Sequence, residues 1–313
     1  MTLLVPWLCA QLLCQTKPPV TALAFSPGGE QVLAASQDGL RVLSWPDLKE
    51  NSKAECRLAH IHGLVFSPNR SAVLAVGGRP GEAGELEILS WPGLKSLTRF
   101  QAHTDLIYGA GWSPDGGRIV TGGADNTCTV FRWTQGAVPE RVVNYRGHSK
   151  AVVAIAFLRD GKQVVSCSID LSLQVWDAQT ARQEKSMDNH LRPISDMAVR
   201  PTVGGQTSPE MVVTTGEDRT VRLWQPSIAR LVRFSRLDSI PRAVRWSPTG
   251  DTLVVGCDSG RVYWLDPDSG SLESKRTWDA GVGRIDAMAI HAQTGEVVLG
   301  GKKGLAHWAN PRP

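Results

Sequence analysis

No two of the six cysteines stand in a C-x-x-C pair. A zinc ribbon or a dithiol redox motif is therefore not indicated. Cys128, Cys167 and Cys257 fall inside apolar, strand-like runs, where a free cysteine packs as a small hydrophobe. That usage suits a reducing compartment. Charge of one sign is also lacking: 34 basic against 30 acidic side chains leave a formal +4, spread along the chain. Nucleic-acid binders usually carry a clustered basic stripe, so no nucleic-acid partner is expected. No run beyond the N-terminus approaches the ~18 apolar residues of a membrane span. The N-terminus itself, Met1 to Cys14, is apolar but has no basic leader and no clear A-x-A site. A cytoplasmic chain without a membrane partner is expected, with export as the alternative. Phosphate loops, H-E-x-x-H and G-x-S-x-G are all missing. Gly256-Cys257-Asp258-Ser259-Gly260 only superficially resembles a nucleophile elbow and falls where a turn between strands belongs. No metal-ligand spacing stands out, so neither metal nor cofactor is expected. Asn69-Arg70-Ser71 fits a glycosylation sequon, a pattern common by chance.

Phenylalanine and tyrosine are scarce, at 6 and 3 residues, yet there are 11 tryptophans. A repeat that uses tryptophan once per unit would explain the excess. Trp45, Trp91, Trp133, Trp176, Trp224, Trp264 and Trp308 are separated by 46, 42, 43, 48, 40 and 44 residues. A second series keeps register with them, where apolar runs close at Phe25, Phe66, Trp112, Phe157, Val199, Trp246 and Ile290. Four of these runs continue into Ser-Pro, and turns such as Pro114-Asp115-Gly116 follow. Proline fixes φ and glycine takes the left-handed position, so each is a hairpin turn. Short β-branched runs come next, for example Gln163-Val164-Val165-Ser166 and Met211-Val212-Val213-Thr214, and they read as strands. A third strand ends at the tryptophan. A more polar fourth, such as Arg141 to Tyr145, closes the unit. Four short antiparallel strands in ~44 residues make one propeller blade.

With those residues in view, the chain resembles the WD40-repeat family over about residues 20–308. Blade 4 carries the likeness best, with Gly147-His148, Asp160-Gly161, Asp170 and Val175-Trp176-Asp177. Thr214 to Asp218 and Val221 to Trp224 repeat it in blade 5. The resemblance implies an all-β fold, a seven-bladed β-propeller of four-stranded antiparallel blades in a single domain spanning 1–313. Blades are expected near 20–58, 61–100, 106–145, 151–187, 193–235, 240–278 and 284–308. It also implies a bracing tetrad at His148, Ser166 or Ser168, Asp170 and Trp176. Buried imidazole, hydroxyl and indole N–H groups need partners, and a carboxylate can satisfy them. His60, His103 and His190 stand in comparable places. Phe131 is expected to replace tryptophan in blade 3, Lys302 stands where blade 7 would have aspartate, and blade 2 has a longer loop from Gly77 to Gly84. Blade 7 stops after three strands. The apolar segment within 3–13 is expected to supply the fourth and close the ring.

The family's usual role implies a non-catalytic scaffold that binds partner proteins or peptides on one propeller face. Loops on that face include Gln37, Tyr108, Lys150, Ile169, Arg192, Glu217, Arg219, Arg242, Arg284, Lys302 and Lys303. The partner-binding candidates are Tyr108, Arg192, Arg219, Arg242, Arg284 and Lys302. The cations come from neighbouring blades and could form an arc for an acidic or phosphorylated segment. Ordinary solvated loop charge, offset by Glu217 and Asp218, is the simpler account. A propeller hydrolase or lactonase with its site in the central channel is the alternative function. Such sites usually bring converging carboxylates or His and a metal to the channel, whereas the first strands here bring mostly Val, Ile, Leu and Ala, with Asp196 and Asp286 as isolated acidic exceptions.

Overall fold

The computed structural model describes residues 19–202 and 209–309. Blade 1 comprises β1 (Ala22–Phe25), β2 (Gln31–Ser36), β3 (Gly39–Ser44) and β4 (Glu50–Ala54). Blade 2 holds β5 (His60–Phe66), β6 (Ala72–Arg79), β7 (Ala83–Ser90) and β8 (Ser96–His103). Blade 3 has β9 (Ile107–Trp112), β10 (Arg118–Gly123), β11 (Cys128–Arg132) and β12 (Glu140–Tyr145). In blade 4 lie β13 (Val152–Phe157), β14 (Gln163–Ser168), β15 (Leu173–Asp177) and β16 (Gln183–Met187). Blade 5 consists of β17 (Ile194–Val199), β18 (Val212–Gly216), β19 (Thr220–Gln225) and β20 (Arg230–Arg236). Blade 6 runs through β21 (Pro241–Trp246), β22 (Leu253–Cys257), β23 (Arg261–Leu265) and β24 (Ser274–Asp279). β25 (Ile285–Ile290), β26 (Val297–Gly301) and β27 (Gly304–Trp308) form blade 7. Strands pair antiparallel in chain order within every sheet.

Hydrophobic burial between sheets explains the β-branched runs. Every residue of β18, β22 and β26 is buried, so these second strands are covered on both faces rather than alternating between core and solvent. Each of the seven blade junctions holds its own apolar cluster. Every first strand packs against the next, and β25 packs against β1, which closes the ring. Two glycines permit close approaches between neighbouring blades. A Cβ on Gly109 would lie 3.0 Å from the Ala154 Cα, and one on Gly300 would lie 2.7 Å from the Val20 side chain. Trp45 reinforces the same closure. Its indole N–H donates to Glu296 at 3.2 Å, and its ring meets His307 at 4.1 Å.

Three expectations change. The tryptophans mark third-strand ends but not equivalent positions. Trp176, Trp224 and Trp308 pair with the first apolar residue of the second strand, at Val164, Val212 and Val297. In blades 1 to 3, Leu43, Leu89 and Phe131 occupy that place, and Trp45, Trp91 and Trp133 follow two residues later, just past their strands. Leu265 holds it in blade 6, so Trp264 points to the opposite face and joins the cluster against blade 7. The Gly77 to Gly84 stretch is no long loop either, because β6 and β7 continue their pairing through Arg79 and Ala83. His60 is also displaced: it lies inside β5 opposite Gly78. The apolar Leu58, Ala75 and Leu89 pack where a tetrad would need polar groups. The segment within 3–13 expected to complete blade 7 lies outside the described residues.

Candidate functional site

The first candidate group braces the blades. His148 Nδ1 lies 3.0 Å from Asp170 and its Nε2 lies 2.8 Å from the Ser166 hydroxyl. Trp176 donates its indole N–H to the same hydroxyl at 3.1 Å. A ring nitrogen facing a carboxylate carries the proton, so Nε2 accepts from serine. Ser168 is engaged elsewhere, donating to the Lys150 carbonyl at 2.9 Å. Burial opposes ionisation of Asp170, but hydrogen bonds from His148 and Ser172 win and hold its carboxyl below the usual range.

Blade 5 holds a second complete set that the sequence reading left unassembled. His190 meets Asp218 at 3.0 Å and Thr214 at 2.7 Å, and Trp224 donates to Thr214 at 2.8 Å. Burial keeps His190 below its ordinary pKa despite the carboxylate beside it. Blade 3 carries the same set without the indole: His103 meets Asp125 at 3.0 Å and Thr121 at 2.7 Å, with Phe131 in the tryptophan place. His103 and His190, expected from sequence in places comparable to His148, each lie four residues ahead of their first strand as His148 does.

The second group lines the central channel. A cavity of about 600 Å³ opens among all seven first strands. Of the six partner-binding candidates, Tyr108, Arg242 and Arg284 line it together, while Arg192, Arg219 and Lys302 are exposed outside it. Arg242 pairs with Glu217 at 3.0 Å, and Arg284 with Asp286 at 2.7 Å. Arg245 reaches Asp196 at 2.6 Å, and the same carboxylate accepts the Val244 N–H at 3.0 Å. Both channel carboxylates are thus tied to guanidinium groups, and Asp196 staples β17 to β21. Facing these charges, Tyr108 and His62 meet edge to face at 5.4 Å. Burial lowers the His62 pKa and raises that of Tyr108, so the wall they form is neutral. Arg245 was legible in retrospect. Ala24, Val65, Gly111, Ala156, Ala198 and Ala289 hold its place in the other blades. Among the described residues, no group of three His, Cys, Asp or Glu side chains is placed to hold a metal. No helix among them is long and apolar enough to cross a membrane.

Comparison with known proteins agrees with this geometry. A family model described as WD domain, G-beta repeat matches residues 8–40, 94–132 and 139–177. The last two matches each run from the outer strand of one blade through the third strand of the next. The guanine nucleotide-binding protein subunit beta of Saccharomyces cerevisiae is 24% identical over 47% of this chain and 36% of its own length. The nuclear distribution protein PAC1 of Arthroderma otae is 30% identical over 51% of the chain and 35% of its own length. The mouse WD repeat-containing protein 37 is 29% identical over 46% of the chain and 29% of its own length. The matched part of the chain thus spans about a third of each of these relatives. Three matched repeats and seven radial sheets together show a seven-bladed β-propeller that carries repeats of the WD40 type.

Proposed function

We propose that this propeller is a non-catalytic scaffold that docks partner proteins or peptides on the face carrying the turns between second and third strands. The observation that supports it most is the channel mouth. There a neutral aromatic wall of Tyr108 and His62 faces Arg242, Arg245 and Arg284 across one opening. Aromatic and arginine side chains are the usual anchors of protein interfaces. Arg192, Arg219 and Lys302 extend the surface outward as exposed cations. Their excess favours an acidic or phosphorylated segment over nucleic acid, which calls for a broader basic stripe. The fold itself supports the reading, because propeller loops are held by bonds such as those of Asp170 and Asp218 and present a rigid surface. The yeast relative is named as a subunit, which suits a chain that works in an assembly. A cytoplasmic setting goes with Cys56, Cys128, Cys167 and Cys257, which are free thiols among the described residues.

The engaged state of Asp196 and Asp286 counts against the channel hydrolase alternative, since a catalytic carboxylate must be free to meet substrate. Affinity capture with the intact chain tests the proposal. Partners recovered by the wild type are expected to be lost from Arg242→Glu/Arg284→Glu and kept by Arg132→Glu, which lies at the far end of β11. Equal recovery by all three would remove the channel mouth as a docking site.

A further inference from the structure

Blade 5 differs from the other six on its outer side. Five large apolar side chains are exposed among the described residues, and Leu191 (78%), Ile228 (56%) and Phe234 (54%) belong to blade 5 or the loop leading into it. β20 is the outer strand of its sheet, so its outward N–H and C=O groups have no strand partner among the described residues. Its sequence, Arg-Leu-Val-Arg-Phe-Ser-Arg, contains three arginines and no acid. Arg233 donates to the Pro267 carbonyl at 2.6 Å. Arg230 and Arg236 are exposed and have no ion-pair partner among the described residues. Edge strands normally carry charge to repel other strands. An exposed aromatic and isoleucine beside that charge work against repulsion.

The aromatic is also held in place. Arg222 sits 5.6 Å over the Phe234 ring, and its guanidinium is buried against Asp218 at 3.4 Å and Thr220 at 3.0 Å. Asp218 in turn belongs to the His190 tetrad and accepts the Leu191 N–H at 3.0 Å. One buried carboxylate therefore fixes both Leu191 at the top rim and Phe234 on the side. Arg219 joins the same patch, because its carbonyl accepts the Leu237 N–H just past β20. Thr220 pairs with Arg236, and Arg222 with Phe234, so these side chains share a face. The nearby acids are occupied: Glu217 holds Arg242, and Asp238 holds Arg261 at 3.5 Å.

We infer that the outer side of blade 5 is a docking surface for an acidic, extended segment of a partner protein, which adds as a strand beside β20. The inference rests on the scaffold reading and names a second surface for it. Main-chain hydrogen bonds to the free edge of β20 hold the segment. An apolar side chain of the segment covers Phe234, and carboxylates pair with Arg230, Arg236 and Arg219.

A fluorescein-labelled peptide of alternating glutamate and valine, roughly eight residues long as strands usually are, is titrated against the full chain. Binding is read by anisotropy, and amide hydrogen exchange is read in the complex. Saturable binding is expected, with slowed exchange along 230–236. Phe234→Ala weakens it about tenfold or more, Arg230→Glu/Arg236→Glu abolishes it, and Arg242→Glu/Arg284→Glu leaves it unchanged. All of these side chains but Arg242 are exposed, and unchanged unfolding midpoints verify that each variant folds. Absence of saturable binding overturns the inference, as does equal binding by the β20 variants or tighter binding of an oligothymidylate of equal length. Loss confined to Arg242→Glu/Arg284→Glu overturns it too, while leaving the scaffold reading intact.

Discussion

Asp170 and Asp218 each satisfy an imidazole and at least one backbone N–H, so each joins a turn to the strand behind it. Asp170→Ala would strand the His148 Nδ1–H and the N–H groups of Ser149 and Ser172. A loss on the order of 2–3 kcal/mol is expected, read from the urea midpoint. A loss no larger than that of an exposed-site substitution would mean the tetrad adds little to stability. The same residues set the pH response. Burial holds His62, His190 and His307 below their ordinary pKa, so the folded chain keeps them neutral. Their contribution is full above about pH 6.5 and fades as pH falls and the unfolded chain takes up protons. Hydrogen bonds hold Asp125, Asp170 and Asp218 below the carboxylate range despite burial, so their contribution is full above about pH 4 and is lost below it. The unfolding midpoint should therefore be flat from pH 8 to 7, fall moderately toward pH 5, and fall steeply below pH 4. In His190→Gln the upper step should shrink. A midpoint that rises between pH 7 and 5 would contradict the assignment. His148 and Asp170 were legible because a local motif names them. The blade 5 set was not assembled, because its histidine lies 24 residues from Thr214 across a long connection.

Strand existence was plain from turn chemistry and from the β-branched runs, since both follow from local backbone preference and burial. Side-chain facing was not. A shift of one residue turns a strand side chain to the other face, and Trp264 made that shift without disturbing the tryptophan spacing. Trp45, Trp91 and Trp133 moved by two, which keeps the face but places the ring beyond the strand. The gain is a ring beside the aromatic that ends each first strand: Phe25 with Trp45 at 4.8 Å, Phe66 with Trp91 at 5.2 Å and Trp112 with Trp133 at 5.0 Å. Close packing at the junctions also gives a prediction. Gly300→Leu should drive side-chain atoms into Val20, where blade 7 meets blade 1, at a cost of about 1–3 kcal/mol in chemical unfolding. Unchanged stability would mean that this junction is loose. Blade 7 has three strands among the described residues. Deletion of residues 1–15 tests whether the N-terminal segment completes it, with a lowered unfolding midpoint as the expected result and an unchanged one as the contrary.

At the scale of the whole ring, seven sheets leave two ends that differ in chemistry. One end carries the turns that the tetrad aspartates hold, the Tyr108 and His62 wall, and the exposed Arg192, Arg219 and Lys302. The opposite end carries the Ser-Pro turns that follow the first strands. Partner choice was beyond the reach of sequence, because it depends on which loops seven separate blades bring to one rim. Arg242 and Arg284 lie 42 residues apart in the chain yet line one cavity. The ends can be distinguished with the captured partner bound, by amide hydrogen exchange of the complex against the free propeller. Slowed exchange is predicted in 105–108, 190–192, 217–219, 239–242 and 282–284. Protection confined to 114–117, 159–162 and 248–251 would place the partner on the other end and contradict the proposed docking face.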